Sequence, residues 1–249
     1  MNILALIPAR MGSSRFPGKP MAMIHGKPMI EHVYERVARS KVLTLTAVAT
    51  CDEEIFEHIE SIGGTAVMTS GSHERASDRC AEALLKLEKA NNIRYDIVVM
   101  VQGDEPMTHP NMISEAIQPM LDNKDIQVTN LLGSIKNMAE FEDRNCIKVV
   151  CDIHHNAMYF SREPIPTRFR TNKIPMGKQV CVIPFRRDYL LEYTALQQTP
   201  LEIAESIDMM RILEYGGKVF MVSTGYDTYA VDNPSDLKKV EKLMKNMDV

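Results

Sequence analysis

The sequence lacks the features that mark several large classes of protein. No stretch of its 249 residues approaches the roughly 20 apolar residues that a membrane-spanning helix needs. The five cysteines form no CxxC pair and no spacing with histidine that suits zinc, so we interpret them as reduced packing residues. A net charge of -4 and a pI near 6.0 are unusual for a nucleic-acid-binding protein, which is normally basic. We therefore expect neither a membrane partner nor a nucleic-acid partner.

The apolar opening of the chain also lacks the pattern of a signal peptide. Residues 2–9 have only the length of a strand and are followed at once by Arg10. We therefore expect a cytoplasmic protein. Hydrophobic residues make up 45% of the chain and charged residues 25%, which is ordinary for a globular protein. The length suits a single domain spanning 1–249.

Strand-like apolar runs alternate with helical patterns, which is typical of a mostly parallel sheet covered by helices. Ile97–Val101 is the most apolar of the predicted strands, and we expect it to be central. From about 128 to 186 the strands shorten and prolines interrupt them, which indicates an inserted β-rich lobe. A helical pattern then covers 202–215. The sequence thus predicts an α/β fold with a doubly wound, mostly parallel sheet.

The segment after the first strand is rich in small residues and cations. Between Pro8 and Pro20 it holds Arg10, Gly12, Ser13, Ser14, Arg15, Gly18 and Lys19. A triphosphate needs backbone N–H donors, close approach and cations, and parallel sheets bind ligands at the carboxyl ends of strands. The GxGxxG and GxxxxGK[ST] motifs are both absent. A solvated basic loop is the alternative, but three cations and two glycines in so short a segment favour a nucleotide site.

Two aspartates are candidates for holding a divalent cation beside this loop. Asp104 follows the central strand, and Asp232 ends an apolar stretch before the last predicted helix. Mg²⁺ typically takes one or two protein carboxylates and completes its shell with water and phosphate oxygens. Each aspartate has a structural alternative: Asp104 could stabilise the turn at Gly103, and Asp232 could cap the helix, although Asn233 could serve instead. Together with the loop, the pair predicts Mg²⁺ at the α-phosphate of a nucleotide.

Longer motifs surround these residues. They include Ile7-Pro8-Ala9-Arg10, Ser14-Arg15-Phe16-Pro17-Gly18-Lys19-Pro20, Val101-Gln102-Gly103-Asp104-Glu105-Pro106, Tyr159-Phe160-Ser161-Arg162-Glu163-Pro164 and Val231-Asp232-Asn233-Pro234. In this combination the chain resembles the 3-deoxy-manno-octulosonate (KDO) cytidylyltransferases, which make the CMP-activated form of an eight-carbon keto sugar acid. The resemblance covers nearly the whole chain. It implies a fold of the nucleotide-diphospho-sugar transferase type, CTP and a small acidic acceptor as substrates, Mg²⁺ as cofactor, and a homodimer built mainly through the β-rich lobe.

The resemblance also implies roles for single residues. The nucleotide would be bound by Ala9, Arg10, Ser13, Ser14, Arg15, Lys19, Arg79 and Gln102. The acceptor would be bound by Arg162, Gln179, Ile183, Glu205, Asp208 and Met209. Asp104 and Asp232 would hold Mg²⁺. The acceptor hydroxyl would attack the α-phosphorus of CTP and displace pyrophosphate, with Lys19, Arg15 and Asp104 as the catalytic residues.

Departures from the family pattern fall at the predicted acceptor contacts. Aligned on Arg186, the family's His-x-Gly-x-Tyr run has Gln179 at the histidine and Ile183 at the tyrosine, and Met209 replaces a usual glutamine. A site that hydrogen-bonds a substrate hydroxyl loses discrimination when its partner disappears. We therefore hypothesise an intact CTP half and an acceptor other than ordinary KDO.

Two other interpretations stay open on the sequence alone. The chain could be a nucleotidyltransferase for another triphosphate, or a cytidylyltransferase for a different acidic, phosphorylated or phosphonate acceptor. It could also be a catalytically silent nucleotide sensor, although the presence of Lys19, Asp104 and Asp232 disfavours that class.

Overall fold

The computed structural model of the protein describes residues 1–12, 15–171 and 176–245. Its strands form two five-stranded sheets and one short two-stranded ribbon. No helix in these ranges is long and apolar enough to cross a bilayer.

The main sheet is parallel except at one edge. Its strands are β1 (Ile3–Ala9), β4 (Leu45–Thr50), β5 (Ala66–Met68), β6 (Ile97–Val101) and β11 (Val182–Arg186), in the order β11-β6-β1-β4-β5. Only β11 is antiparallel to its neighbour β6. Every residue of β1 and β6 is buried, which explains their continuous apolar sequences.

Helices cover both faces of this sheet. Residues Ala5 and Ile7 of β1 face one hydrophobic cluster, and Leu4 and Leu6 face the other, because side chains alternate along a strand. The first cluster includes α1 (Met29–Ala38), α2 (Glu53–Ser61) and α4 (Pro110–Asp122). The second includes α3 (Ala76–Asn91), α6 (Arg187–Thr194) and α8 (Met209–Glu214). The predicted doubly wound α/β fold is confirmed.

The second sheet packs beside the first and is mostly antiparallel. Its strands are β7 (Thr129–Ser134), β8 (Lys148–Cys151), β9 (Ala157–Ser161), β10 (Gly177–Val180) and β12 (Phe220–Ser223), in the order β12-β7-β10-β8-β9. The short helix α5 (Met138–Glu142) precedes β8.

The second sheet does not coincide with the stretch 128–186 that the sequence suggested. Strand β11 lies inside that stretch but joins the main sheet, and β12 lies beyond it but pairs with β7. The proline at Pro184 did not prevent this pairing, because β11 is an edge strand that needs a ladder on one side only.

A third group of short elements brings the end of the chain next to the first loop. It comprises β2 (Met23–Ile24), β3 (Lys27–Pro28) and the last helix, α9 (Pro234–Met244). Ile24, Met29, Val231, Val240 and Met244 form one small hydrophobic cluster with Met107. This packing places the turn before α9, which contains Asp232, beside the segment that follows β1.

The helix predicted over 202–215 is divided in two, which corrects that prediction. Helix α7 (Pro200–Glu205) ends at Ser206, which has a left-handed backbone with φ of 53°, and α8 begins at Met209. The spacing of apolar residues continues across the break, so periodicity could not reveal it. The break lies against the functional cleft described next.

Candidate active site

The site lies at the carboxyl ends of the neighbouring strands β1 and β6. Gly103, just beyond β6, is where the two strand ends approach each other. A Cβ atom on Gly103 would lie 3.1 Å from the Pro8 carbonyl oxygen and 3.2 Å from Ile30, so a larger residue would push the turn away. Glycine therefore brings the loops that follow both strands to the same edge of the sheet, where parallel α/β folds bind ligands.

The loop after β1 is folded back and anchored to the adjacent strand. The Gly18 N–H donates to the Met11 carbonyl at 3.1 Å, and Gly18 has a φ of 71°, which favours glycine. The Met11 N–H donates to Asp52 Oδ2 at 2.8 Å, just beyond β4. Ser13 and Ser14, predicted to bind phosphate, lie outside the described residues. The loop is thus held over the sheet edge with its cations.

Two cations of this loop meet both candidate carboxylates. Lys19 Nζ donates to Asp104 Oδ2 at 2.6 Å and lies 3.8 Å from Asp232 Oδ1. Arg15 donates through Nη2 to Asp232 Oδ1 at 2.8 Å and through Nη1 to Asn145 Oδ1. The structure therefore gathers Arg15, Lys19, Asp104 and Asp232 in one place, although 217 positions separate Arg15 from Asp232.

The turns that carry the two aspartates are tied to each other. The Val231 N–H donates to the Asp104 carbonyl oxygen at 2.9 Å. Asn233, not Asp232, caps α9, because Asn233 Oδ1 accepts from the N–H groups of Ser235 and Asp236 at 2.9 and 3.1 Å. The Asp232 carboxylate is therefore directed to the loop cations, and its alternative role as the helix cap is wrong.

Asp232 is poorly solvated and lies near a second negative charge. Burial raises the pKa of Asp232 above its ordinary value and the Asp104 carboxylate raises it further, whereas Lys19 and Arg15 act in the opposite direction. Such a pair of carboxylates favours a bound cation. Within the described residues, no group of three or more His, Cys, Asp or Glu side chains forms a metal site. A cation held by the two aspartates would therefore draw its other ligands from water and substrate, as Mg²⁺ commonly does.

A cleft of about 360 Å³ opens over Asp104 and the cations of the loop. Its walls include the loop after β1, the turn 102–104 and Ser206. A smaller cavity of about 180 Å³ adjoins it and shares Ala9, Arg10 and Gln102 as walls. The predicted nucleotide-binding residues in the described part of the chain, Ala9, Arg10, Arg15, Lys19, Arg79 and Gln102, each line one or both of these spaces.

Arg79 projects from α3 towards the smaller cavity and is 3% exposed. Its Nη1 donates to Thr69 Oγ1 and to the Ser70 carbonyl. Its Nη2 is buried and makes no hydrogen bond within the described residues. Arg79 is therefore fixed in the wall of the smaller cavity by its Nη1 contacts.

Three of the predicted acceptor residues, Arg162, Glu205 and Asp208, lie around Ser206, which lines the cleft. Arg162 donates through Nε to the Glu205 carbonyl at 2.6 Å, and its backbone N–H donates to Glu205 Oε2 at 2.8 Å. Asp208 Oδ2 accepts from Ser77 Oγ at 2.9 Å. Burial lowers the pKa of Arg162 below its ordinary value and the nearby Arg15 lowers it further. The positions of Arg162, Glu205 and Asp208 place a polar surface beside Ser206 and the loop cations.

The other three predicted acceptor residues are placed elsewhere. Ile183 is 2% exposed and Met209 is fully buried, and both belong to the core between the main sheet and its helices. Both side chains are thus enclosed by the core in this structure, and their contact with the acceptor stays a prediction. Gln179 lines a separate cavity of about 400 Å³, which Asp232 also borders, and donates to Asn130 Oδ1 at 2.6 Å.

Sequence reasoning missed three residues that shape the site. Asp52 anchors the loop, and its place directly after β4 resembles that of Asp104 after β6, so the same strand-end rule could have found it. Asn145 holds Arg15 from 130 positions away, and nothing in its local sequence indicates this. Burial raises the pKa of Glu105 to about 7, and its Oε1 accepts from the Cys181 N–H at 3.1 Å.

Comparison with known proteins supports one family. The cytidylyltransferase family profile matches residues 4–221. A 3-deoxy-manno-octulosonate cytidylyltransferase of Geobacter metallireducens is 42% identical, covering 98% of this chain and 99% of its own length. Its counterpart in Geobacter sulfurreducens is 40% identical, covering 98% of this chain and 100% of its own length.

A solved structure agrees with these relatives. A CMP:2-keto-3-deoxy-manno-octonic acid synthetase complexed with CTP superposes with a TM-score of 0.89 at 36% identity, and the match covers 98% of this chain and 99% of that chain. The matches to these relatives and to this structure run over nearly the full length of both partners. The chain therefore belongs to the cytidylyltransferase family and, within it, to the 3-deoxy-manno-octulosonate cytidylyltransferases.

Proposed function

We propose that the protein transfers CMP from CTP to the hydroxyl of KDO or a closely similar sugar acid and releases pyrophosphate. The observation that carries the proposal is the meeting of Arg15 and Lys19 with Asp104 and Asp232, where Arg15, Lys19 and Asp104 line the cleft. The cations can neutralise the negative charge of a triphosphate, and the carboxylates can bind a divalent cation. The relatives' names, and the CTP in the similar solved structure, support cytidine as the base.

In this proposal, CTP spans the cleft and the smaller cavity. Lys19, Arg15 and Arg10 hold the phosphates and neutralise the charge that develops as pyrophosphate leaves. The base enters the smaller cavity, which Arg79 and Gln102 line. Holding the α-phosphorus in line with the acceptor hydroxyl supplies much of the rate enhancement.

We also propose that the reaction requires Mg²⁺, held by Asp104 and Asp232. The two carboxylates fit this ion, because they are close enough for Asp104 to raise the pKa of Asp232 and they leave the remaining coordination positions to water and phosphate. When bound, the ion supplies charge neutralisation at the α-phosphate. Lys19 belongs to the phosphate-binding loop and contacts both carboxylates, so it can pair with the carboxylates or with the phosphates.

The acceptor is proposed to bind beside Ser206, next to Arg162, Glu205 and Asp208. Arg162 has an affinity for carboxylates, and Arg15 adds a second positive charge nearby. Ile183 and Met209 lie in the core, so their apolar character does not by itself argue for an altered acceptor.

A pyrophosphate-release assay tests the proposed function. Purified protein would be supplied with Mg²⁺, each of the four nucleoside triphosphates in turn, and a panel of KDO, other sugar acids, and phosphorylated and phosphonate acceptors. We expect turnover with CTP and the highest kcat/KM with KDO or a near relative. Faster use of a phosphorylated or phosphonate acceptor would replace the proposed acceptor, and no turnover with any pair would favour a nucleotide sensor.

A homodimer and a cytoplasmic location belong to the same proposal. Met158 on the edge strand β9 is 64% exposed, and Ile153 in the turn before it is 92% exposed. Apolar side chains on an open sheet edge favour association with another copy. All five cysteines are free, which suits a reducing compartment.

A further inference from the structure

One arginine outside the assigned contacts links the nucleotide side of the site to the acceptor side. Arg75 directly precedes α3 and lines the smaller cavity together with Arg79 and Gln102. Its guanidinium also reaches the break between α7 and α8, here named the 205–208 corner. Arg75 Nη1 donates to Ser206 Oγ at 3.1 Å and lies 3.9 Å from Asp208 Oδ1. Its side chain is only 14% exposed, so these contacts are partly shielded from water.

The 205–208 corner has an unfavourable backbone that needs support. Ser206 has a φ of 53°, which costs a serine free energy unless the surroundings hold it. Arg162 holds the corner from the second sheet, with Nε donating to the Glu205 carbonyl at 2.6 Å and Nη2 to the Ser206 carbonyl at 3.3 Å. Arg75, at the start of α3, holds the same corner through the Ser206 hydroxyl. Ser206 is therefore held by two arginines from distant parts of the chain.

The carboxylate of Asp208 belongs to the same arrangement. Burial raises the pKa of Asp208, whereas its hydrogen bond with Ser77 and the nearby Arg75 guanidinium act in the opposite direction. Ser77 lies two positions after Arg75, so the start of α3 holds both ends of the corner. Glu205 and Asp208 are the polar side chains that the corner offers to the acceptor.

We propose that Arg75 is a positioning residue that fixes the 205–208 corner against the nucleotide cleft and so sets the affinity for the acceptor. The inference rests on the proposed function, because it assumes that the acceptor binds at this corner. It assigns Arg75 no contact with the reacting atoms. Arg75 acts through Ser206 and Asp208.

Loss of Arg75 would leave no buried carboxylate without a partner. Its other neighbour, the buried Glu202, lies 3.4 Å from Arg75 Nε without a hydrogen bond between them. Glu202 instead accepts two hydrogen bonds from Arg211, at 2.6 and 2.7 Å. Replacing Arg75 therefore leaves Glu202 paired, and the variant should remain folded.

The test compares wild type with Arg75→Met, Ser206→Ala and the double variant. We expect Arg75→Met to raise the acceptor KM about tenfold, the size typical of a lost hydrogen bond to a charged group, and to change the CTP KM by less than about twofold.

The double variant should resemble Arg75→Met, since both substitutions remove the same hydrogen bond between Arg75 and Ser206. Arg75→Lys, which keeps the charge but not the fork of donors, should lie between. Arg94→Met, which removes an exposed pair with Asp188, is the matched control and should leave both KM values unchanged.

Amide hydrogen exchange of the free enzyme gives a second readout that needs no turnover. The Ile207 N–H donates to the Glu202 carbonyl and the Met210 N–H to the Ile207 carbonyl, so both amides report on the corner. In Arg75→Met we expect their exchange to accelerate about tenfold while the amides of β1 and β6 keep their wild-type rates. Unchanged exchange at the corner, or equal increases in the CTP and acceptor KM values, would overturn the inference. A wild type that uses no acceptor would reject the proposed function, and the exchange result would still decide the role of Arg75.

Discussion

The positive charge of Lys19 lies between the negative charges of Asp104 and Asp232. Its ammonium contacts Asp104 at 2.6 Å and is within 3.8 Å of Asp232, so a single cation screens the repulsion between two carboxylates. Arg15 supports the same balance from the other side of Asp232. A triphosphate adds negative charge to this group, and that charge must be matched by the loop cations and by the proposed Mg²⁺.

Asp104→Asn tests the residue that would carry the metal. Asparagine keeps the size and a hydrogen bond to Lys19 but loses the negative charge that Mg²⁺ requires, so we expect turnover to fall below detection. CTP affinity should stay within about 1–2 kcal/mol of wild type, because the loop cations remain. Asp227→Asn is the matched control, since Asp227 is exposed and pairs with Lys136 away from the cleft. Steady-state kinetics and calorimetric CTP titration decide the matter, and unchanged turnover would remove the metal assignment.

For single residues, the sequence predicts the positions of charged side chains in the site better than the positions of apolar ones. Arg15, Lys19, Asp104 and Asp232 stand where strands end, and chemistry alone marks them as candidates. Alignment with the family pattern puts Ile183 at the acceptor, but alignment does not say whether a strand residue faces the core or the cleft. Its partner across the sheet is Met100, and both lie in the core.

Among the elements, α9 determines where Asp232 points. Asn233 occupies the cap position, so the preceding aspartate is left for the cleft. The Val231 N–H then fixes that turn to the Asp104 carbonyl. One carboxylate of the proposed metal site therefore depends on how a helix at the end of the chain begins.

Asn233→Ala should show this dependence. Loss of the cap removes acceptors for the Ser235 and Asp236 N–H groups and should lower the free energy of unfolding by about 1 kcal/mol. Because the turn of Asp232 loosens with the helix, the apparent affinity for Mg²⁺ in the assay should fall as well. Asn137→Ala removes the cap of α5, which accepts from the Glu140 N–H, and should cost similar stability with no change in the Mg²⁺ requirement. Denaturant unfolding and Mg²⁺ titration of the rate test both effects, and equal Mg²⁺ dependence in the two variants would contradict the link.

Element boundaries show what periodicity can and cannot reveal. The helices and strands of the main sheet follow from long apolar patterns, as in β1 and β6. The break at Ser206 interrupts no such pattern, because it is a change of backbone conformation held by contacts with Arg75 and Arg162. The sheet that β11 and β12 each join is likewise determined by their pairing partners, β6 and β7, which lie far away in the sequence.

For the whole molecule, the decisive feature is that three distant parts of the chain meet at the carboxyl ends of the strands of the main sheet. They are the loop after β1, the turn after β6 and the turn before α9. The fold class could be predicted, since alternation of strands and helices dictates it. The general position of the nucleotide site followed from the rule on strand ends. The paths of β11 and β12 and the contact of Asn145 with Arg15 could not be predicted, because they depend on tertiary packing that leaves no local pattern.

The second sheet gives the molecule two faces with different tasks. Arg162, which directly follows the edge strand β9, contacts the 205–208 corner, while Met158 within that strand is exposed. The proposed homodimer would cover the exposed edge and stiffen the sheet that supports the acceptor.

The most direct test of the central claim is a crystal structure of the protein with CTP and Mn²⁺, with the metal located by anomalous scattering. We expect one Mn²⁺ in contact with carboxylate oxygens of both Asp104 and Asp232 and with an oxygen of the α-phosphate, as a hard divalent cation prefers oxygen ligands. Lys19 and Arg10 should contact the triphosphate, and the base should lie beside Arg79. A metal bound by neither aspartate, or a triphosphate away from the loop after β1, would contradict the account.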